Sequence, residues 1–215
     1  MAGAAGAAVT VPSRGDGTRE RVLDAALEVL REVGYGGFSV QKVARSAGVY
    51  QGNITYYWPR RRDLVRAVAG RVIDEYRRTF LAGVDLSTRG AADLASATLR
   101  WMVVDAVTVE RVRLMPEVWS MANADPQVAE EVTRCADEVT DVLAELLGAP
   151  AGAPHGAAVR RALRAAGAAA LGLTAVHGHR SADDPVLAEL IDDVVALHAP
   201  ALTRALDATT DRSAR

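Results

Sequence analysis

The stretch SVQKVARSAGVYQGNITYYWPRR, Ser39 to Arg61, reads as two short helices joined by a tight turn and running into a third. Ser39 is a capping residue, whose hydroxyl accepts from the free N–H groups of the first turn, so a helix is expected from Val40 to about Ser46. Gly48 ends it, because the residue after a helix often takes φ > 0, which glycine adopts without steric cost. Val49 follows as an apolar plug, and a second short helix begins near Tyr50. On that helix Ile54 points inward. Gln51, Gly52, Asn53, Thr55 and Tyr56 are left for an outer face with no charge and several hydrogen-bonding groups. Ala44 is small where the two helices must cross. A second helix held in this way fits the DNA major groove, whose floor carries a donor and acceptor code.

Working outward, Thr18 to Val33 (TRERVLDAALEVLREV) repeats Val22, Ala26, Val29 and Val33 at helical intervals, a single buried stripe. Gly34 ends this brace, Glu28 and Arg31 form an i, i+3 pair on its outer side, and Tyr35 and Phe38 supply aromatic bulk beneath the unit. Downstream, Pro59 suits the first turn of a long helix from about Arg60 to Leu81, with Leu64, Val68, Val72 and the Tyr76 to Phe80 turn buried. Further helices are expected at about Ala91 to Val109, Arg113 to Asn123, Pro126 to Leu147, Ala157 to Arg180 and Pro185 to Leu206. Their breaks are rich in Gly, Pro and Asp. No segment has strand alternation, and the fold class is all-α.

The 215 residues are long enough to bury a real core, and half are apolar. Net charge is only -2, which excludes a whole-chain argument for nucleic acid. The halves differ, however. Residues 1–80 hold 13 basic against 8 acidic side chains, a net of +5, and residues 81–215 hold 12 against 19, a net of -7. A basic end on an acidic body suits a polyanion at one end only. The single cysteine, Cys135, excludes an intramolecular disulfide and a multi-cysteine zinc site, and points to a reducing cytoplasm. No stretch reads as a membrane span: the longest apolar run, Ala165 to Val176, is too short. The expected organisation is a flexible tail at 1–17, a helix-turn-helix domain at 18–60, a connecting helix at 61–82, a ligand-binding and dimerisation domain at 83–206, and a second tail at 207–215.

Thr18 to about Val72 resembles the DNA-binding domain of the tetracycline-repressor (TetR) family of bacterial transcription regulators. The resemblance rests on Gly34-Tyr35, Ser39-Val40, Ala44 to Val49, Gly52, Tyr56-Tyr57-Trp58, Arg61 and Asp63-Leu64, in order and at the family's intervals. Tyr50, Thr55 and Trp58 depart from it, standing where Ser, Tyr and Phe are usual. The resemblance implies base reading by Gln41, Gln51, Gly52, Asn53 and Thr55, with Tyr50 also against DNA. It implies phosphate contacts from Ser39, Lys42, Tyr56, Tyr57 and Arg61. Arg14 and Arg19 are candidates for a further tail contact. The chemistry agrees, since Gln51 and Asn53 carry amides able to pair with adenine N6 and N7.

The resemblance further implies a homodimer on a double-stranded DNA operator, with two recognition helices about 34 Å apart, and a dimer interface in the last two helices. There Leu163, Gly167, Ala170 and Thr174 form a small-residue face, and Leu187, Leu190, Ile191 and Val194 an apolar one. A small-molecule effector, apolar or aromatic, would bind the C-terminal domain. Trp101, Met102, Met115, Trp119, Met121 and Cys135 gather the large soft side chains there, with Asp105, Glu117 and His177 as polar anchors. His177 and His179 lie about 200° apart around a helix, unlike a metal-binding pair. No metal, cofactor, catalytic residue or membrane partner is expected. The competing readings are a helical ligand-binding or catalytic protein with a structural N-terminal unit, and a DNA-binding protein without effector.

Overall fold

Ser39 accepts a hydrogen bond from the Lys42 backbone N–H at 3.2 Å, and the eight-residue helix it caps stops at Gly48, whose φ of 64° lies in the left-handed region. The stop has the two bonds of a Schellman end: Gly48 N–H donates to Arg45 O and Val49 N–H to Ala44 O. Around this turn the computed structural model describes residues 14–88, 90–108 and 126–210, with 112, 115, 116, 118, 119, 122 and 123 between them. In chain order the elements are α1 (Arg14–Gly37), α2 (Val40–Ala47), α3 (Gln51–Tyr57), α4 (Arg61–Gly83), α5 (Ala91–Ala106), α6 (Pro126–Leu146), α7 (Gly156–His177) and α8 (Pro185–Thr210). All regular structure among the described residues is helical.

Several boundaries differ from expectation. α1 begins at Arg14 and α8 runs to Thr210, so part of each expected tail is helical. Regular helix in α1 breaks at Gly34 (φ 64°, ψ 178°), as glycine allows, and a short turn to Gly37 follows. Pro59 lies outside α4, which starts at Arg61; the Asp63 carboxylate reaches back to accept from the Arg60 N–H at 3.2 Å. The expected helix at Arg113 to Asn123 lies largely outside the described residues, although Met115, Val118, Trp119 and Asn123 are helical.

Two cores share α4. The N-terminal one collects Val22, Ala26 and Val29 from α1, Phe38, Val43 and Ala44 around α2, Ile54 and Trp58 around α3, and Leu64 and Val68 from α4. Further along α4, Tyr76 and Phe80 enter a second core with Leu99 and Met102 of α5, Leu143 of α6, Leu163 and Ala166 of α7, and Val195 and Leu202 of α8. Leu64, Val68, Tyr76 and Phe80 share the one stripe that helical period predicts, and the two cores divide it between them. Val33, expected to close the α1 stripe, is instead exposed, because it lies at the helix end where the chain turns at Gly34. The side chain of Tyr35 lies outside the described residues.

Three α4 residues, Glu75, Arg71 and Arg66, position it through four ion pairs. Arg31 of α1 bonds Glu75 at 3.1 Å, not the expected Glu28, because packing α1 on α4 brings Glu75 within reach. Arg71 bridges Glu20 and Asp24 at 2.9 and 2.7 Å, and the Asp24 hydrogen bond raises the Arg71 pKa. Arg66 reaches Glu131 of α6 at 2.7 Å. At the far end of α4 the Trp101 ring sits edge-on to Tyr76 and Phe80, with centroids 4.7 and 5.1 Å away. Gly83 is needed there: a Cβ would come within 2.5 Å of the indole.

The expected dimer stripe packs within the protomer. Leu163, Ala170, Thr174, Leu187 and Ile191 are all buried, and Ala170, Leu187 and Ile191 close on Val103 of α5 with Leu190 and Val194 beside them. Gly167 lies 3.9 Å from Met102 when given a Cβ. Periodicity marks a stripe as buried without saying which core it enters, and here α5 packs against both α7 and α8. The outward faces of those helices carry different residues. Leu171 and Val176 on α7, and Val186 and Leu197 on α8, are exposed, Leu197 at 77%.

Candidate nucleic-acid interface

α3 is seven residues long, and its one fully buried side chain, Ile54, anchors it against α2 and the N-terminal core. A helix of two turns presents everything else to the outside. Gln51, Gly52, Asn53, Thr55, Tyr56 and Tyr57 are exposed, and Tyr50 just before them is 86% exposed. Tyr50 makes no side-chain cap to the helix. Among the described residues the Gln51 and Asn53 amides have no partner within the protein. The Thr55 hydroxyl does, turning back to Gly52 O and Gln51 O at 3.2 and 3.4 Å.

The aromatic run following α3 is a stack. Tyr56 meets Tyr57 edge-on at 5.2 Å, Tyr57 leans on Trp58 at 5.7 Å, and the Arg19 guanidinium lies 5.7 Å from the buried Trp58 ring. Arg19 therefore braces α1 against the end of α3 through a cation–π contact. On α2, Gln41, Lys42 and Arg45 are exposed beside the recognition face, and Ser39 is half-buried by its capping role. Arg60 and Arg62 are exposed on the far side. The side chain of Arg61 lies outside the described residues, as does that of Arg14. The assembled surface is neutral on α3 and basic around it, which suits base edges at the centre and phosphates at the rim.

The residues proposed for a small molecule are less concentrated. Trp101 and Met102 belong to the C-terminal core, and Asp105 closes α5. Met115 and Trp119 lie half-buried on the partly described helical stretch, while Met121 and Glu117 lie outside the described residues. His177 ends α7 and accepts from Arg180 Nε at 3.3 Å; His179 is exposed. An open groove of about 490 Å³ lies elsewhere, along α6 at Glu130, Arg134, Asp137 and Asp141. Among the described residues no group of three or more His, Cys, Asp or Glu could hold a metal, and no helix is long and apolar enough to cross a membrane.

Sequence reasoning missed three features. The Arg66 to Glu131 bridge joins residues 65 positions apart, a separation that leaves no local pattern. Thr98 on α5 is fully buried with its hydroxyl unpaired among the described residues. The third is the outward apolar residues of α7 and α8, which carry a signal of their own, a second period beside the buried one.

Residues 22–68 match the family model of bacterial regulatory proteins of the tetR family. Over 128 residues, 59% of the chain, the sequence is 28% identical to an HTH-type transcriptional regulator in the dhlA 5′ region of Xanthobacter autotrophicus. It is 30% identical over 76 residues, 35% of the chain, to the HTH-type transcriptional regulator BetI of Escherichia coli. These matches span 63% and 39% of the two relatives' own lengths. The transcriptional regulator SCO7518 of Streptomyces coelicolor A3(2) shares the fold, with a TM-score of 0.60 and 20% identity over 84% of this chain and 98% of that one. So does FadR of Bacillus subtilis, solved in complex with stearoyl-CoA, with a TM-score of 0.59 and 15% identity over 84% and 97%.

Proposed function

We propose that this chain, which belongs by its N-terminal domain to the tetR family of bacterial regulatory proteins, is a homodimeric transcriptional repressor released from a palindromic operator by a small molecule. The observation that carries the reading is the α3 surface. A fully buried Ile54 holds a short helix whose remaining side chains are outward, uncharged and hydrogen-bonding, beside a basic rim. Gln41, Gln51, Gly52, Asn53, Thr55 and Tyr50 meet bases; Ser39, Lys42, Tyr56, Tyr57 and Arg61 hold phosphates. Residues 18–60 are the DNA-binding domain, 61–82 the connecting helix, and 83–206 the effector and dimerisation domain.

The dimer forms through the outer faces of α7 and α8, where Leu171, Val176, Val186 and Leu197 are exposed. Small Ala165, Ala168, Gly172 and Ala175 lie between the larger residues on α7 and permit close helix approach. The effector enters the C-terminal domain near Trp101, Met102, Asp105, Met115, Trp119 and His177, where the unpaired Thr98 hydroxyl offers a polar contact. The fold-sharing FadR was solved with an apolar acyl chain on its ligand, which is consistent with an apolar effector here. Effector binding shifts α4 through Trp101 and Gly83 at one end and Arg66 and Glu131 near the other. It acts only through unequal affinity for the two states of α4.

The test is selection from a pool of random duplex DNA at fixed salt. A palindromic consensus is expected, with base preference lost in Gln51→Ala and uniformly weaker binding in Lys42→Ala. An absence of enrichment, or enrichment untouched by Gln51→Ala, would sink the reading.

A further inference from the structure

We propose that α3 reads A·T pairs, so that the half-site beneath it is A·T in composition and thymine is recognised through the Thr55 methyl group. This deepens the DNA-binding reading and rests on it. The argument comes from which edge readers α3 presents and which it lacks. In the major groove guanine is read by Arg or Lys on O6 and N7, and cytosine by Asp or Glu on its N4 amino group. α3, QGNITYY, carries none of these four residue types. Adenine is read by Asn or Gln at N6 and N7, and thymine by apolar contact with its C5 methyl group.

Both of those readers are present and exposed. The Gln51 and Asn53 amides have no partner within the protein among the described residues, so each retains its donor and acceptor for an adenine edge. Thr55 departs from the aromatic residue usual at its position, and its hydroxyl is engaged by the carbonyls of Gly52 and Gln51. With its proton turned back onto the helix, the Thr55 hydroxyl has no donor left for a base, and the exposed side chain offers a partner its methyl group and acceptor lone pairs only. Gly52 has open space at its missing Cβ, so the backbone between the two amides adds no bulk to hold the helix away from the groove. The guanine readers beside this face, Lys42 and Arg45, are on α2 and not on α3.

The experiment uses the full chain and the operator selected from random duplex DNA. In that operator adenines of the half-site are replaced by 7-deazaadenine, which lacks the N7 acceptor, and thymines by uracil, which lacks only the methyl. The expected half-site core is A·T. A 7-deazaadenine at the contacted position lowers wild-type affinity by roughly 5- to 150-fold and leaves Gln51→Ala or Asn53→Ala unaffected at its own position. Uracil at one position lowers wild-type affinity about fourfold, the worth of one buried methyl, and has no effect on Thr55→Ser, which keeps the hydroxyl and loses the methyl. A palindrome with a G·C core, or one whose guanines depend on Lys42 or Arg45, would overturn the inference while leaving a DNA reader in place. Equal uracil sensitivity in wild type and Thr55→Ser would remove the Thr55 role. If no sequence is enriched at all, the DNA-binding reading itself fails, and this inference with it.

Discussion

α3 and α8 both expose side chains away from the core that supports them, and they do so in opposite chemistry. α3 presents amides, a threonine and tyrosines around one buried anchor, Ile54. α8 presents Val186 and Leu197 on a helix whose opposite face, Leu187, Ile191 and Val195, is sealed in the protomer core. Polar groups without partners suit a hydrated, polar ligand such as DNA, whereas exposed aliphatic residues suit a second protein surface that excludes water. The two regions also differ in which core supports them, since α3 stands on the N-terminal core and α8 on the C-terminal one, with α4 shared.

That division is broken most severely by Ile54→Asp. A carboxylate in a fully buried apolar site costs about 4 kcal/mol or more. DNA binding is expected to vanish and the helical signal of α1 to α3 to fall, while the C-terminal core survives as a separate transition in thermal unfolding. A single transition for the whole chain would mean that α4 ties the two cores into one cooperative unit.

Next in size is a pair of substitutions on α8. Leu197→Asp, at a position 77% exposed, is expected to leave the protomer folded and to weaken dimer association by 100-fold or more, the scale of an interface hot spot. Leu187→Asp, at a position 3% exposed, is expected to unfold the C-terminal domain. Sedimentation of the two variants beside wild type separates them. If Leu197→Asp remains a dimer at all concentrations, the outer face of α8 is not the interface.

These substitutions mark where the sequence could and could not be read. The turn at Gly48, the Ser39 cap, the buried Ile54 and the outward amides were legible because each depends on residues within four positions of one another. The C-terminal stripes were legible as stripes, yet Leu163, Ala170 and Ile191 pack on the protomer and not across a dimer, because period gives a face and not its neighbour. Arg31 paired with Glu75 rather than Glu28 for the same reason: a tertiary partner 44 residues away displaced the local one. Trp101, expected near a ligand, also packs on Tyr76, Phe80 and Gly83, contacts that need α4 and α5 in place before they can be seen.

The Trp101 wedge gives the third test. Gly83→Val places a side chain where even a Cβ would lie 2.5 Å from the indole, and Trp101 is held on its other sides by Tyr76 and Phe80. Overpacking of this kind costs about 1–3 kcal/mol. The expected result is a lower midpoint in denaturant and a shift of tryptophan emission, with the DNA affinity of the folded fraction altered through the displaced end of α4. Unchanged emission and an unchanged midpoint would show that the added side chain is accommodated without moving the indole and that the wedge does not set the position of α4.

The smallest effect is expected at the other α4 contact, between Arg66 and Glu131. The Arg66 guanidinium at 2.7 Å holds the Glu131 carboxyl below its ordinary value of 4.5, and Arg134 adds to the same effect. Because the folded value is depressed, the bridge contributes fully above pH 4.5 and is lost only as the pH falls through the depressed value. It is therefore constant across neutral pH and cannot act there as a proton switch. Arg66 is 59% exposed, so solvent and salt screen the pair and its worth is roughly 0.2–1 kcal/mol. Glu131→Gln should lower stability by that amount at pH 7 and low salt, by less at high salt, and by nothing once wild-type Glu131 is protonated. Its value is that it cuts an ion pair between α4 and α6 without touching either core. Operator affinity that changes in Glu131→Gln by more than the stability does would show that the bridge biases the position of α4, and equal changes would reduce it to a surface salt bridge.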